Sequence, residues 1–270
     1  MDYHVKSLCD EENIIVVVGC GGTGSFLAEG LCRLLEGCAN PIVLIDPDHI
    51  EQHNLIRQNF YSKELGMFKC QALAERLSRQ YGRKICYSPW PFEWDFSRSL
   101  VQSLHRNNRK LVVFGCVDNA SARQAIAHKW NNGDWWIDAG NGKKSGQILV
   151  GNISKDNSYI FEYRERLKED EVQFLPIPSY QQPDLLIPVP GEDKPRDCAQ
   201  AVIEDEQSPL INQMMATLAL DIFDRLRTNT LSWMGLYVNL GDDVSLKPVP
   251  ITPENVNRIV GQEVIRGEND

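Results

Sequence analysis

Residues 14–25 read Ile-Ile-Val-Val-Val-Gly-Cys-Gly-Gly-Thr-Gly-Ser. The β-branched run predicts a buried parallel strand, and the apolar residues that follow at helical spacing, such as Leu27 and Leu31, predict a helix. Glycines between a strand and a helix permit a tight turn, and the N-terminus of the helix then presents N–H groups and a positive dipole end to an anion. The stretch therefore predicts a nucleotide-phosphate site, with a glycine-rich turn that binds no ligand as the alternative.

The composition is that of an ordinary globular chain. The 270 residues, with 42% hydrophobic and 24% charged residues, are enough for one large α/β domain or two small ones. A formal net charge of −9 argues against a nucleic-acid-binding surface. No apolar run approaches the roughly 20 residues that span a membrane, and the N-terminus lacks the features of a signal peptide. We therefore expect a cytoplasmic protein that binds neither nucleic acid nor membrane.

Eight cysteines are present, and no two of them form a Cys-x-x-Cys pair. Because that spacing is the usual mark of a ribbon-type zinc site, we expect no structural zinc. The size and composition of the chain also argue against a disulfide framework. Four cysteines fall in segments predicted to be buried strand or helix, where a reduced thiol behaves as a small hydrophobe. These are Cys20, Cys32, Cys70 and Cys116.

Strand and helix patterns alternate through the first half of the chain. Apolar runs predict strands at 14–19, 41–46, 84–88, 110–116 and 134–138. Helical spacing of apolar residues predicts helices at 24–37, 67–81, 96–105 and 119–131. This alternation is typical of an α/β fold with a doubly wound, mostly parallel sheet, which is the Rossmann-like arrangement. The next apolar run, at 146–153, predicts a strand antiparallel to the others.

The alternation is lost at 154–197, where charged residues give way to a proline-rich stretch. A loop of this length is either functional, as a segment that crosses over the extended tail of a partner, or a disordered surface insertion. Beyond it we expect a helix at 207–226 and a hairpin that turns near Gly241. We therefore divide the chain into a nucleotide-binding half (1–153), the crossover loop, and an antiparallel extension (198–270) that completes the same domain.

The polar residues after the second predicted strand favour ATP over NAD as the predicted ligand. Asp46 ends that strand, where a dinucleotide fold places the carboxylate that holds ribose hydroxyls. Arg57 then offers a planar fork of donors to phosphate oxygens, and Asn54 and Gln58 add neutral donors. Lys69, at the start of a predicted helix, can reach a phosphate as a point charge. A dehydrogenase has no need for this concentration of polar groups, whereas phosphoryl chemistry does.

A further carboxylate, Asp118, follows the fourth predicted strand in the sequence Phe-Gly-Cys-Val-Asp-Asn. The carboxyl ends of central strands face the ligand crevice of such a sheet, and a carboxylate there is suited to hold Mg²⁺. The sequence thus predicts a magnesium ligand beside the phosphates.

Four motifs occur in order: Gly-x-Gly-Gly-x-Gly, Asp-x-Asp-x-Ile-Glu-x-x-Asn-Leu-x-Arg-Gln, Gly-x-x-Lys and Asp-Asn. Together they resemble those of the ThiF/MoeB/HesA family, adenylating enzymes related to ubiquitin-activating enzymes. The resemblance covers about residues 13–145, with a weaker similarity around Cys198 and the helix after it. The small size and the proline-rich loop most resemble the stand-alone members found in bacterial operons, including the PRTRC plasmid-associated system.

The resemblance implies a role for each matched residue. Asp46 would hold the ribose and Asp118 would hold Mg²⁺, while the glycines would contact the phosphates of ATP. The residues implied to contact the nucleotide are Gly19, Gly21, Gly22, Gly24, Asp46, Asp48, Asn54, Arg57, Gln58, Lys69 and Asn119. The residues implied to act in catalysis are Arg57, Lys69, Asp118 and Cys198.

The implied reaction is adenylation of a carboxylate. The C-terminal glycine of a small ubiquitin-like or sulfur-carrier β-grasp protein would attack the α-phosphate in line, pyrophosphate would leave, and an acyl-adenylate would form. Catalysis would come from positioning and charge neutralisation. Alternatives are adenylation of a small-molecule, peptide or RNA-linked carboxylate, an NAD-dependent oxidoreductase, and a catalytically silent scaffold subunit.

Two features depart from the family pattern. The absence of Cys-x-x-Cys pairs removes the zinc site that many relatives carry. Family dimers also send an N-terminal arginine into the ATP site of the partner, whereas Lys6 is the only lysine or arginine ahead of the first predicted strand. We expect a homodimer by analogy, in which Lys6 substitutes for that arginine, another group does so, or the contact is absent.

Two further groups have both a functional and a structural interpretation. Cys198 either accepts the activated acyl group as a thioester or persulfide-type intermediate, or is a small buried residue at a loop–helix junction. His49 and His53 have the i, i+4 spacing of a metal pair, but no third ligand is evident in their polar loop.

Overall fold

The computed structural model describes residues 3–6, 13–93, 110–128, 130–154, 168–188 and 208–259. Its strands are β1 (His4–Val5), β2 (Ile14–Val18), β3 (Ile42–Ile45), β4 (Ile85–Ser88), β5 (Leu111–Gly115), β6 (Trp135–Asn141), β7 (Ser145–Gly151), β8 (Glu171–Val172), β9 (Trp233–Asn239) and β10 (Ser245–Pro250). Its helices are α1 (Gly22–Leu34), α2 (Lys69–Tyr81), α3 (Ala120–Ala127), α4 (Pro178–Gln181) and α5 (Pro209–Thr228). Short 3₁₀ turns cover Gln52–Ile56, Ser62–Glu64 and Pro183–Leu186, and 253–259 are helical. The helix predicted at 96–105 and Cys198 lie outside the described residues.

Among the described residues, eight strands form the main sheet, in the order β10-β9-β7-β6-β5-β2-β3-β4. The pairs from β6 to β4 are parallel, and those that join β6, β7, β9 and β10 are antiparallel. The α/β fold class with an antiparallel C-terminal extension is therefore confirmed. Because β3 and β5 lie on opposite sides of β2, the chain changes direction across the sheet at β2. The carboxyl ends of these strands therefore border the crevice in which such sheets bind ligands.

The two faces of the sheet are covered by different helices. On one face, Ile15 and Val17 of β2 pack in the same cluster as Leu27 of α1 and Phe223 of α5. On the other face, Ile14 and its neighbours join a cluster with α3. Both faces of β2 are fully buried, which explains why its sequence is continuously apolar rather than alternating.

At two positions of the glycine loop, the neighbouring backbone leaves no room for a side chain. Gly19 has φ +87°, and a Cβ there would overlap the carbonyl oxygen of Cys116. A Cβ at Gly24 would overlap the carbonyl oxygen of Gly19. The first turn of α1 is therefore pressed directly onto the backbone at the end of β2.

Several sequence predictions need correction. The predicted helix at 119–131 ends at Ala127, since His128 takes an extended conformation. Part of the predicted irregular segment is ordered, because β8 pairs in parallel with β1 and is followed by α4. These elements have two to four residues each, which is too few to give a periodic pattern.

Within the described ranges, no helix is both long enough and apolar enough to cross a membrane.

Substituting alanine at two glycines of α1 tests the packing of the loop. Both changes gain about 1 kcal/mol of helix propensity. At Gly24 the new methyl meets a rigid carbonyl, whereas at Gly30 it meets the end of the flexible Leu220 side chain. We expect Gly24→Ala to lower the free energy of unfolding by about 1–3 kcal/mol relative to Gly30→Ala, measured by urea denaturation. Equal stability of the two variants would contradict this packing.

Candidate functional site

A cavity of about 1430 Å³ opens at the carboxyl ends of β2, β3 and β5. Most of the residues singled out in the sequence lie along its wall: Gly19, Gly21, Gly22, Asp46, Asp48, Asn54, Arg57, Gln58, Lys69, Asp118 and Asn119. Gly24 does not line the cavity but packs beneath it, against Gly19. Residues separated by a hundred positions in sequence are thus brought to one place.

The first turn of α1 forms one wall of the cavity. Gly21, Gly22 and Thr23 line it, and Gly21 is the N-cap residue of this 13-residue helix. The first turn carries no acidic residue that would compete for its N–H groups. The positive end of the helix dipole is therefore available to an anion.

Asp46 is held rigidly beside this turn. Its Oδ2 accepts a hydrogen bond from the Cys20 backbone N–H at 2.6 Å, and its Oδ1 accepts one from the Asp48 N–H at 2.8 Å. Only 4% of the residue is exposed. Burial raises the pKa of Asp46, although Lys69 and the two backbone donors act in the opposite direction. The carboxylate therefore has a fixed orientation at the base of the cavity.

Lys69 is the main cation in this part of the wall. It begins α2, its side chain is only 9% exposed, and its Nζ lies 2.8 Å from Oδ2 of Asp48. The Asp48 side chain is 66% exposed, so water screens this ion pair from one side. A more highly charged anion in the cavity can therefore compete with Asp48 for the ammonium group.

Two amide side chains of the cavity wall, those of Asn54 and Gln58, differ in their hydrogen bonds. Asn54 Oδ1 accepts the Glu51 N–H at 2.9 Å, which caps the 3₁₀ turn that leads to Arg57. Gln58 is 6% exposed, and among the described residues its Oε1 has no hydrogen-bond partner. A buried acceptor of this kind calls for a donor, such as a ligand hydroxyl or water. Gln58 is therefore an amide of the wall whose acceptor a bound ligand or a water molecule can satisfy.

The segment after β5 presents Asp118 at the cavity surface. The Asn119 side chain caps α3 by accepting the Ala122 N–H at 2.8 Å, and its Nδ2 donates to Asp118 Oδ1 at 3.3 Å. Asp118 itself is exposed and faces the cavity. Asn119 thus orients the carboxylate through a local turn, in addition to any contact with a ligand.

A buried ion pair that we did not predict supports this segment. Arg123 donates through Nε to both carboxylate oxygens of Asp138, at 3.1 and 3.3 Å, and through Nη2 to the Val117 carbonyl at 2.7 Å. Asp138 is 1% exposed, and its burial raises its pKa against the opposing effect of Arg123. Asp138 could have been identified in the sequence by its position at the end of a predicted strand, as Asp46 and Asp118 were.

A second unpredicted network lies behind α1. Asn212 of α5 is fully buried, donates through Nδ2 to the Arg57 carbonyl at 3.1 Å and accepts from Asn141 Nδ2 at 2.9 Å. Asn141 Oδ1 in turn accepts from Thr23 Oγ1 at 3.0 Å. The signal in the sequence was a single asparagine on the apolar face of a predicted helix, which cannot be buried without hydrogen bonds.

The histidine pair predicted as a possible metal site is not arranged as one. His49 packs against the ring of Phe68 at a centroid distance of 4.0 Å, while His53 Nδ1 lies 3.3 Å from Glu51 Oε2. In the part of the chain that the structure describes, no three His, Cys, Asp or Glu side chains are grouped to hold a metal ion.

The chain is similar to known proteins in sequence and in fold. A family model described as the ThiF family matches residues 11–222. Among curated proteins, ubiquitin-like modifier-activating enzyme 5 of Rattus norvegicus is 32% identical over 135 residues, and that of Gallus gallus is 31% identical. The matched regions cover 47% of this chain, but only 32% and 33% of those enzymes.

Solved structures extend the similarity over most of the fold. A crystal structure of PaaA covers 90% of this chain and 74% of its own, with a TM-score of 0.56. A crystal structure of E. coli MccB with ATP also covers 90% of this chain, and 65% of its own, with a TM-score of 0.55. Both are 15% identical, so they show a shared fold.

Alkylation tests the burial of two cysteine thiols, Cys70 and Cys32. Burial raises the pKa of both Cys70 and Cys32 to about 11, so at pH 8 about one thiol in a thousand is ionised. Cys86 is exposed. We expect iodoacetamide at pH 8 to label Cys86 and to spare Cys70 and Cys32, as measured by peptide mass spectrometry. Urea-unfolded protein is the control, and labelling of Cys70 as fast as Cys86 would contradict the structure.

Proposed function

Since the chain belongs to the ThiF family, we propose that it is an adenylyltransferase that uses ATP and Mg²⁺ to activate a carboxylate. The observation that carries the proposal is the convergence of Asp46, Lys69 and the N-terminus of α1 on one cavity. Adenylation of a carboxylate requires a group that holds the ribose, a cation for the phosphates and room for a second substrate. The cavity has residues and space suited to all three.

The charge distribution of the cavity is suited to ATP. The first turn of α1 and Lys69 supply positive potential for the triphosphate, while the fixed Asp46 carboxylate accepts hydrogen bonds from ribose hydroxyls. Arg57 and Gln58, also on the wall, add donors to phosphate oxygens. When phosphate binds, we expect Lys69 to exchange Asp48 for the more highly charged ligand.

Asp118 fits the requirement for magnesium. Mg²⁺ is usually held by one or two carboxylates together with substrate phosphates, and Asp118 is an exposed carboxylate on the cavity wall, oriented by Asn119. A bound Mg²⁺ would neutralise charge on the phosphates. No cluster of three protein ligands is needed for this role.

The reaction forms one bond and breaks one. An oxygen of the substrate carboxylate bonds to the α-phosphorus of ATP, the bond from that phosphorus to the bridging oxygen breaks, and pyrophosphate carries away the electron pair. The protein supplies no nucleophile in this step. Its contribution is to hold the two substrates in line and to place Lys69 and Arg57 against the developing charge on the phosphates.

We propose a ubiquitin-like β-grasp protein with a C-terminal glycine as the substrate. The similarity to ubiquitin-like modifier-activating enzymes supports this class of partner. The second part of the cavity wall, which includes Gly140, Gln147 and Tyr237, offers space beyond the nucleotide for an extended tail. Transfer of the acyl group from the adenylate to the Cys198 thiol, with AMP as the leaving group, and assembly as a homodimer belong to the same proposal.

A peptide carboxylate is the second candidate. The fold is shared with E. coli MccB, a microcin C7 biosynthetic enzyme that has been crystallised with MccA and with N-formylated MccA. An NAD-dependent oxidoreductase is disfavoured, because the wall concentrates Arg57, Lys69 and Asp118 where a dehydrogenase needs no such set.

Three substitutions test the adenylation proposal. We expect Arg57→Ala, Lys69→Ala and Asp118→Ala each to lower the rate of pyrophosphate–ATP exchange by about 10²–10³-fold, because each removes a charge placed against the triphosphate or its metal. The assay contains Mg²⁺ and a β-grasp protein encoded nearby, or that protein without its terminal glycine.

Lys144→Ala is the matched control, since this lysine is exposed beside the cavity but does not line it. Its exchange rate should equal that of the wild type. Near-wild-type exchange in all three cavity variants would refute the proposal. Exchange that is independent of the β-grasp protein but stimulated by a peptide would favour the second candidate.

A further inference from the structure

One fully buried polar side chain, that of Asn212, does not line the cavity but forms hydrogen bonds with two residues that do. The Asn212 amide lies near the N-terminus of α5, where it donates to the Arg57 carbonyl and accepts from Asn141. Both partners line the cavity, whereas Asn212 is not among the residues that line it. Its hydrogen bonds therefore hold residues of the cavity wall, although the side chain itself does not line the cavity.

The amide also sets the position of α1. A Cβ added at Gly22 would overlap the Asn212 side chain, so glycine is required there for the close approach of α5 to the first turn of α1. Thr23, the next residue of that turn, joins the same network through Asn141. The phosphate-facing turn and the Arg57 loop are thus held by one side chain.

We propose that Asn212 is a positioning residue for the triphosphate of ATP, which fixes the Arg57 loop relative to the N-terminus of α1. This inference rests on the function proposed above. Asn212 makes no contact with the nucleotide in this scheme. It acts by keeping two separate groups of phosphate donors, Arg57 and the N–H groups of α1, in register.

Only a side chain that donates and accepts at once satisfies both contacts. Aspartate has nearly the same shape and can accept from Asn141, but it cannot donate to the Arg57 carbonyl. Leucine has a similar volume and can do neither, so it removes both hydrogen bonds of the Asn212 side chain. Comparing Asn212→Asp with Asn212→Leu therefore separates the donor contact from the network as a whole.

The test measures ATP affinity by isothermal titration calorimetry with Mg²⁺. We expect Asn212→Leu and Asn212→Asp each to raise the Kd for ATP at least about tenfold, because the Arg57 loop is no longer tied to α5. The control is Ile222→Ala, which creates a cavity in the same helix at a fully buried residue away from the wall. It should lower the melting temperature and leave the Kd unchanged.

A double-mutant cycle distinguishes positioning from general loosening. If Asn212 acts through Arg57, adding Asn212→Leu to Arg57→Ala should raise the Kd less than about threefold beyond Arg57→Ala alone. Independent, multiplicative effects would overturn the positioning role. A wild-type Kd in both Asn212 variants would also overturn it and leave the proposed function intact, whereas a wild-type protein that binds no ATP would overturn both.

Discussion

Two backbone hydrogen bonds to the Asp46 carboxylate organise the site. The Cys20 N–H belongs to the glycine loop after β2, and the Asp48 N–H belongs to the segment after β3, so this one side chain ties together the ends of two neighbouring strands. The glycine loop in turn fixes α1, because Gly24 lies directly on the carbonyl of Gly19. The direction of the helix dipole and the position of Asp46, the proposed ribose anchor, are therefore set by the same local constraint.

Buried or nearly buried charges lie in and beside the cavity. Asp138 and Arg123 form a buried pair, and Lys69 is nearly buried against an exposed partner. Removing such groups from water is costly and is only partly offset by their pairing. Charges kept under these conditions in one cavity are typical of a site prepared to bind a charged ligand. Because the N–H groups of α1 are held in place before a ligand binds, these donors need little reorganisation in the proposed reaction.

The sequence predicted those parts of the site that depend on local geometry. The glycine loop, Asp46 and Asp118 each follow a strand, and parallel strands bring their carboxyl ends together, so these residues could be placed without coordinates. Asn212 could not, because its partner Arg57 is 155 residues away and only the packing of α5 against α1 brings them into contact. The capping roles of Asn54 and Asn119 depend on exact backbone dihedrals, which residue patterns do not specify. Short elements such as β1 and β8 give no periodic signal at all.

The central claim is that the cavity binds ATP with its ribose on Asp46 and its phosphates between α1 and Lys69. A crystal structure with Mg²⁺ and an ATP analogue whose α,β-bridge is a methylene group tests this most directly. The expected result is ribose hydroxyls within hydrogen-bond distance of Asp46, phosphate oxygens on the N–H groups of Gly21, Gly22 or Thr23, and Lys69 turned from Asp48 to a phosphate. An analogue bound elsewhere, or a Lys69 that keeps its ion pair beside a bound triphosphate, would contradict it.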